Sequence, residues 1–106
     1  MCSHIVLPYP HYSIKISHKA GKELTALPKE EQIAIINKID ALTANDSLSL
    51  DIKKLHGYEH LYRIRYDHYR IIFSVDNTLK TVSIILVGHR REVYNLVKKL
   101  SHLIAN

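Results

Sequence analysis

The chain has a single cysteine in 106 residues, with only three glycines and three prolines. Cys2 alone cannot close an intramolecular disulfide, and there is no cysteine pair with metal-ligand spacing, so a reducing cytoplasm is the expected setting. No apolar stretch reaches the length of a membrane span. The opening MCSHIVLPYP lacks a basic n-region and breaks its apolar run with two prolines, which makes a poor signal peptide, and no membrane partner is expected. Repeats, linkers and low-complexity tracts are also missing. What remains is one domain over residues 1–106 with a modest core, preceded by a leader, 1–11, to which no role is assigned.

What the chain does have is positive charge, unevenly placed. The formal net charge is +5. Residues 1–52 carry five Lys/Arg against six Asp/Glu, whereas residues 53–106 carry ten against four. All of the positive excess therefore lies in the second half, which suggests nucleic acid or another anionic surface as partner. The plain alternative is a solvated basic face with no ligand.

Periodicity supplies the architecture. YSIKIS alternates Tyr12, Ile14 and Ile16 with polar residues, the mark of a short strand. Ser17 then suits a helix cap, and Ala20, Leu24 and Leu27 share one helical face. Pro28 suits the first turn of a second helix, Glu30 and Glu31 complement its positive end, and Ile35, Ile36, Ile39 and Leu42 form its apolar stripe. From Leu61 the period changes to two, predicting strands over 61–66, 69–74 and 81–87, joined by turns at Asp67-His68 and at 76–78. Gly88 should break the last of these. A helix from Arg91 follows, with Val93, Leu96, Val97, Leu100, Leu103 and Ile104 on one face. The predicted fold is α+β in the order β-α-α-β-β-β-α, a small antiparallel meander sheet with helices packed on it.

Two placements within this frame are locally unfavourable. In YRIRYDHYRIIF, a two-residue turn at Asp67-His68 pairs Tyr66 with Tyr69 and sets Arg65 directly against Arg70, with Arg63 one pair further along the same face. Like charges opposite each other cost stability. No acidic residue offers evident compensation, since Asp67 occupies the turn and Glu59 precedes the strand. Arg70→Ala is accordingly expected to leave stability unchanged or slightly raised. In VGHRREVY, His89, Arg90 and Arg91 stand where the last helix begins, and cations there oppose the helix dipole. A bound anion would relieve both. Arg91 alone reads best as a side chain extending into water. Tyr94, one step past Val93, can border the core while its hydroxyl reaches a groove, or simply pack.

These two blocks, KKLHGYEHLYRIRYDHYRIIFSVD and VGHRREVY, in that order and spacing, resemble the second half of the RelE/ParE superfamily of toxin–antitoxin toxins. The likeness is strongest to RelE-type ribosome-dependent mRNA endonucleases and extends loosely over residues 12–100. The resemblance implies site residues at Arg63 and Arg65 on the first meander strand, Arg70 on the next, Arg90 after the glycine turn, and Tyr94. RelE has lysines at the first two of these positions. Arginine keeps the charge but practically never deprotonates, so proton transfer falls to another group. Related branches use histidine and glutamate, which makes His89 the leading candidate.

The implied chemistry is attack by a ribose 2′-hydroxyl on its own 3′-phosphate, leaving a 2′,3′-cyclic phosphate and a 5′-hydroxyl without a metal or other cofactor. It requires a base, an acid and stabilisation of a pentacoordinate phosphorane, the last a task suited to guanidinium forks. Arg70 and Arg65 would face the scissile phosphate, Arg63 and Arg90 would position it and offset charge, and Tyr94 would stack on or orient a base. Lys53, Lys54 and Arg91 would contact the RNA backbone or lie on a solvated face. His56 and His60 have an H-x-x-x-H spacing, but Gly57 and the strand start that follows argue against a zinc pair. The implied partners are the ribosomal A site with its mRNA and a cognate antitoxin that wraps the toxin. Two other functions remain open: a ParE-like toxin that binds DNA gyrase, and a basic RNA-binding module that has lost catalysis.

Overall fold

The computed structural model describes residues 11–43, 50–55, 57 and 60–104, with the backbone alone for 100–104. In chain order the elements are β1 (Ser13–Ile16), α1 (His18–Thr25), α2 (Lys29–Ala41), β2 (Asp51–Lys54), β3 (Leu61–Tyr66), β4 (Tyr69–Asp76), β5 (Thr81–His89) and α3 (Arg90–Ile104). The expected elements are present, with one strand added at β2.

Ser17 caps α1 as its position implies: its backbone is extended and its Oγ accepts the Ala20 N–H at 3.0 Å. α2 starts directly after Pro28, with Glu30 and Glu31 in its first turn. Its buried stripe is Ile35, Ile39 and Leu42. Ile36, expected among them, is 40% exposed because it lies about 100° around the helix from Ile35.

The five strands form one sheet in the order β1-β5-β4-β3-β2. β3, β4 and β5 make the expected antiparallel meander, although β4 and β5 run two residues further than their alternation suggests and Gly88 lies within β5. β2 extends the meander as an antiparallel edge strand, and β1 pairs parallel to β5 on the other side.

The two faces of the sheet carry separate apolar clusters. α1 and α2 cover Ile64, Ile71, Phe73, Val82, Ile84 and Val87. α3 covers the opposite face, where Val93 and Val97 pack with Ile72 and Leu86. Leu96 borders this second cluster, while the side chains of Leu100, Leu103 and Ile104 lie outside the described residues. A register shift between Ile72 and Phe73 leaves Ile85 as the extra residue of β5. Ile85 and Leu86 therefore both serve the α3 face, and the alternation of β5 reverses beyond that point.

Candidate functional site

The Asp67-His68 turn forms as its sequence requires. Asp67 adopts φ +54°, a left-handed conformation that aspartate tolerates, and Tyr66 pairs with Tyr69. The register then aligns residues across four strands: Asp51 opposite Arg65, Arg65 opposite Arg70, and Arg70 opposite Gly88. The neighbouring row contains Lys53, Arg63, Ile72 and Leu86. Since side chains alternate along each strand, Arg63, Arg65, Arg70 and Lys53 share the face on which α3 packs. The like-charge opposition inferred from the turn is thus present.

It is compensated, however, contrary to the sequence-based expectation. Asp51 stands at the end of the row, on the strand that period-two reading passed over. Arg63 Nη1 donates to both Asp51 Oδ1 at 3.2 Å and the Asp51 carbonyl oxygen at 3.1 Å. Arg65 Nη1 lies 4.0 Å from Asp51 Oδ2. LDIKKL does alternate Leu50 and Ile52 with Asp51 and Lys53, and that short pattern is the signal that could have located both the strand and its carboxylate.

The three arginines differ in freedom. Arg65 has a side chain 57% exposed, and Arg63 one only 13% exposed. Arg70 is 6% exposed as a residue, and its Nη1 donates to the carbonyl oxygens of Asp67 at 2.9 Å and Tyr69 at 2.8 Å. Its buried Nε has no hydrogen-bond partner. A buried guanidinium with an unpaired donor is a costly arrangement for a purely structural residue.

Gly88 is the backbone partner of Arg70 on β5. A Cβ there would approach Val93 Cγ2 at 3.4 Å, on the first turn of α3. Arg90 and Arg91, both exposed, open that helix, and the Arg90 N–H donates to the His68 carbonyl oxygen at 3.0 Å, tying the helix start to the hairpin turn. Tyr94 is 39% exposed, beside the buried Val93.

His89 is brought together with different neighbours. It pairs in register with Tyr69, whose ring lies 5.2 Å away, and its ring runs parallel to that of His68 at 6.2 Å. Because Tyr69 and Arg70 project to opposite faces, His89 stands across the end of the sheet from Arg65 and Arg70. His68 is a site neighbour that the sequence reading assigned only to the turn. Lys54 is separated from Lys53 in the same way, opposite Tyr62 on the other face. The Tyr66 phenol is held above its ordinary value by desolvation and then by the carboxylates of Glu31, Asp67 and Glu30.

His60 lies among the described residues and His56 outside them, so the H-x-x-x-H pair has no described geometry. Among the described residues no three His, Cys, Asp or Glu side chains gather as a metal site would need, and no helix is long and apolar enough to cross a membrane. The assembled feature is a cationic row at the turn end of a hairpin, bounded by one carboxylate and a helix start. Such a row can bind and offset the charge of a phosphodiester.

Comparison with known proteins gives the fold a context. The family model for the ParE toxin of type II toxin–antitoxin systems matches residues 14–94. Toxin RelE3 of Methanocaldococcus jannaschii is 38% identical over 61 residues, which span 58% of this chain and 67% of that protein. In the RelB–RelE antitoxin–toxin complex from Methanococcus jannaschii, a chain 30% identical superposes with a TM-score of 0.64, covering 77% of this chain and 96% of its own length. The archaeal RelE–RelB complex from Pyrococcus horikoshii OT3 gives 31% identity and a TM-score of 0.64 over 74% of this chain and 94% of the other.

Proposed function

The chain belongs to the RelE/ParE superfamily as a RelE-type toxin of a toxin–antitoxin system, and on that premise we propose that it is an endoribonuclease that cuts mRNA in the ribosomal A site without a metal. The observation that carries this reading is the row Arg65, Arg70 and Gly88, leading to Arg90, in which a buried guanidinium keeps an unpaired Nε beside exposed cations.

In this reading Arg70 is the preorganised charge. Its Nη1 is already committed to the Asp67 and Tyr69 carbonyls, so its orientation is set before the RNA arrives and little reorganisation is needed as phosphorane charge develops. Arg65, more exposed, captures the same phosphate, and Arg63 and Arg90 flank it. The 2′-hydroxyl oxygen attacks phosphorus, its proton passes to a base, and the 5′-oxygen leaves with a proton from an acid. Arginine is too weak an acid to be that base. His89, at the strand end next to Arg90 but on the face opposite Arg65 and Arg70, is our candidate for proton transfer from around that end. Tyr94 orients a base, and Lys53 and Arg91 hold the RNA backbone, while Lys54, on the opposite face, does not. The similar archaeal toxins were solved with RelB antitoxins, which supports a cognate antitoxin that covers the basic row of this chain as well.

The test is incubation with ribosomes programmed with a defined message, followed by mapping of the ends. Cut message with 2′,3′-cyclic phosphate and 5′-hydroxyl ends, and little cutting of free RNA at the same concentration, is the expected result. Inhibition of gyrase on supercoiled DNA with intact message would assign the chain to a ParE-like activity instead. Ribosome binding with neither effect would mark a module without catalysis.

A further inference from the structure

The cationic row contains one carboxylate that the proposed chemistry does not use. Asp51 opens the edge strand β2, with 54% of its side chain exposed. An ion pair this exposed contributes little to stability, so stability is a weak reason for placing an acid beside a phosphate-binding surface. What Asp51 does geometrically is more specific. Arg63 Nη1 meets two oxygens of the same residue, the carbonyl at 3.1 Å and Oδ1 at 3.2 Å, while Oδ2 faces Arg65 from 4.0 Å. The carbonyl fixes where the nitrogen sits, and the carboxylate fixes it a second time.

From this two-point hold we infer that Asp51 is a positioning residue for RNA cleavage: it fixes the Arg63 guanidinium before RNA arrives and leaves Arg65 to engage the phosphate. The inference rests on the ribonuclease reading. A long side chain ordered in advance spares the reaction the cost of ordering it in the transition state. Asp51 cannot act here by raw charge, because a negative group beside a polyanion site weakens binding. The two roles therefore have opposite signatures. Removing the charge alone should tighten ribosome binding and leave the rate unchanged or higher, whereas removing a positioning group should lower the rate while binding is kept or tightened.

The experiment compares wild type, Asp51→Ala, Arg63→Ala and the double variant in single-turnover cleavage of ribosome-bound message. The half-saturating toxin concentration is read from the same curves. Asp51→Ala is expected to slow cleavage on the order of tenfold or more at saturation, with the half-saturating concentration unchanged or lower. In the Arg63→Ala background it should slow cleavage no further, since it acts through Arg63. Asp51→Asn, which drops the charge but keeps an Oδ1 acceptor for Arg63 Nη1, should fall between alanine and wild type. A wild-type rate in Asp51→Ala, or an equal loss in both backgrounds, overturns the inference. Should Asp51→Ala melt below the assay temperature, Asp51→Val, whose β-branched side chain suits an edge strand, is read in the same way. Failure of the ribonuclease reading is a separate result, because wild type itself would then leave the message intact.

Discussion

Replacing Arg70 by alanine tests whether this residue is tolerated or built in. From the pairing with Arg65 alone, removal would relieve repulsion of about 0.2–1 kcal/mol and leave the fold as stable or slightly more so. The structure reverses that sign. Arg70 is 6% exposed, so alanine removes a buried aliphatic stem at about 0.8 kcal/mol per methylene. It also removes Nη1 bonds to two carbonyls, at 2.8 and 2.9 Å, together worth roughly 1.5–3 kcal/mol. Against these losses stand the relief from Arg65 and the disappearance of the unpaired Nε, the latter about 1–3 kcal/mol. With two methylenes lost and each term at mid-range, the balance is a destabilisation of about 1 kcal/mol, or a melting temperature lower by roughly 4–8 °C.

Arg70→Met keeps most of the stem and discards the fork, so it should recover a good part of that loss. Both variants should lose single-turnover cleavage far more than ribosome affinity, because one cation is a small part of a large electrostatic interface and a large part of the charge at the scissile phosphate. Thermal denaturation followed by circular dichroism, and cleavage measured well below both transitions, give the two numbers. An unchanged or raised melting temperature in Arg70→Ala would refute the stabilising role of the Nη1 bonds. Full cleavage with weakened binding would reduce Arg70 to a docking residue.

The other expectations are more local. Glu23 Oε1 accepts the Val87 N–H at 2.9 Å, so Glu23→Ala should cost about 1–2 kcal/mol and lower the melting temperature by roughly 5–10 °C, while Glu23→Gln retains most of it. Lys53 shares the arginine face and Lys54 does not; Lys53→Ala should therefore weaken ribosome binding and flatten its salt dependence by about one charge, with Lys54→Ala close to wild type in the same titration. Toxin stripped of metal with a chelator, desalted and added to ribosomes in magnesium buffer should cut at the untreated rate, and restoration of a lost rate by added zinc or manganese would contradict the mechanism. The raised Tyr66 phenol favours the protonated folded state, so its contribution is complete below the ordinary value of 10.0 and is lost as pH rises through the higher folded value; Tyr66→Phe should flatten the fall in melting temperature at that alkaline end.

How much of this was legible before the structure depended on local chemistry. The Arg65–Arg70 pairing could be read because alternation on both sides of a two-residue turn leaves one register that buries Ile64 and Ile71 together. β2 was missed because four residues give barely two periods, and its pairing partners lie eight to fourteen residues away. The bulge was invisible for a different reason. In TVSIILVGH the run Ile84, Ile85, Leu86, Val87 is apolar throughout, so nothing in composition says which residue is doubled. Uninterrupted alternation would turn Val87 and His89 to the arginine face; the extra residue turns Val87 into the α1–α2 core and sets His89 beside Tyr69. The contribution of Arg70 to stability was unreadable as well, since burial of a cation depends on which carbonyls a turn presents to it.

The site departs from rules that make a sheet stable, and it does so to different degrees at each arginine. Arg70 is buried and bonded to the turn it follows, Arg63 is held to the backbone and side chain of an edge strand, and Arg65 is left largely in water. Three copies of one chemical group thus have three degrees of freedom within two adjacent rows of the sheet. If binding a polyanion were the only requirement, three exposed arginines would serve as well, and the buried, unpaired Nε would be a cost without return. A reaction in which negative charge grows on a phosphate gives that cost a purpose: the fixed groups stabilise charge without moving, and the free one can follow the substrate in. The graded burial therefore favours catalysis over simple RNA binding more strongly than the net charge of the chain does.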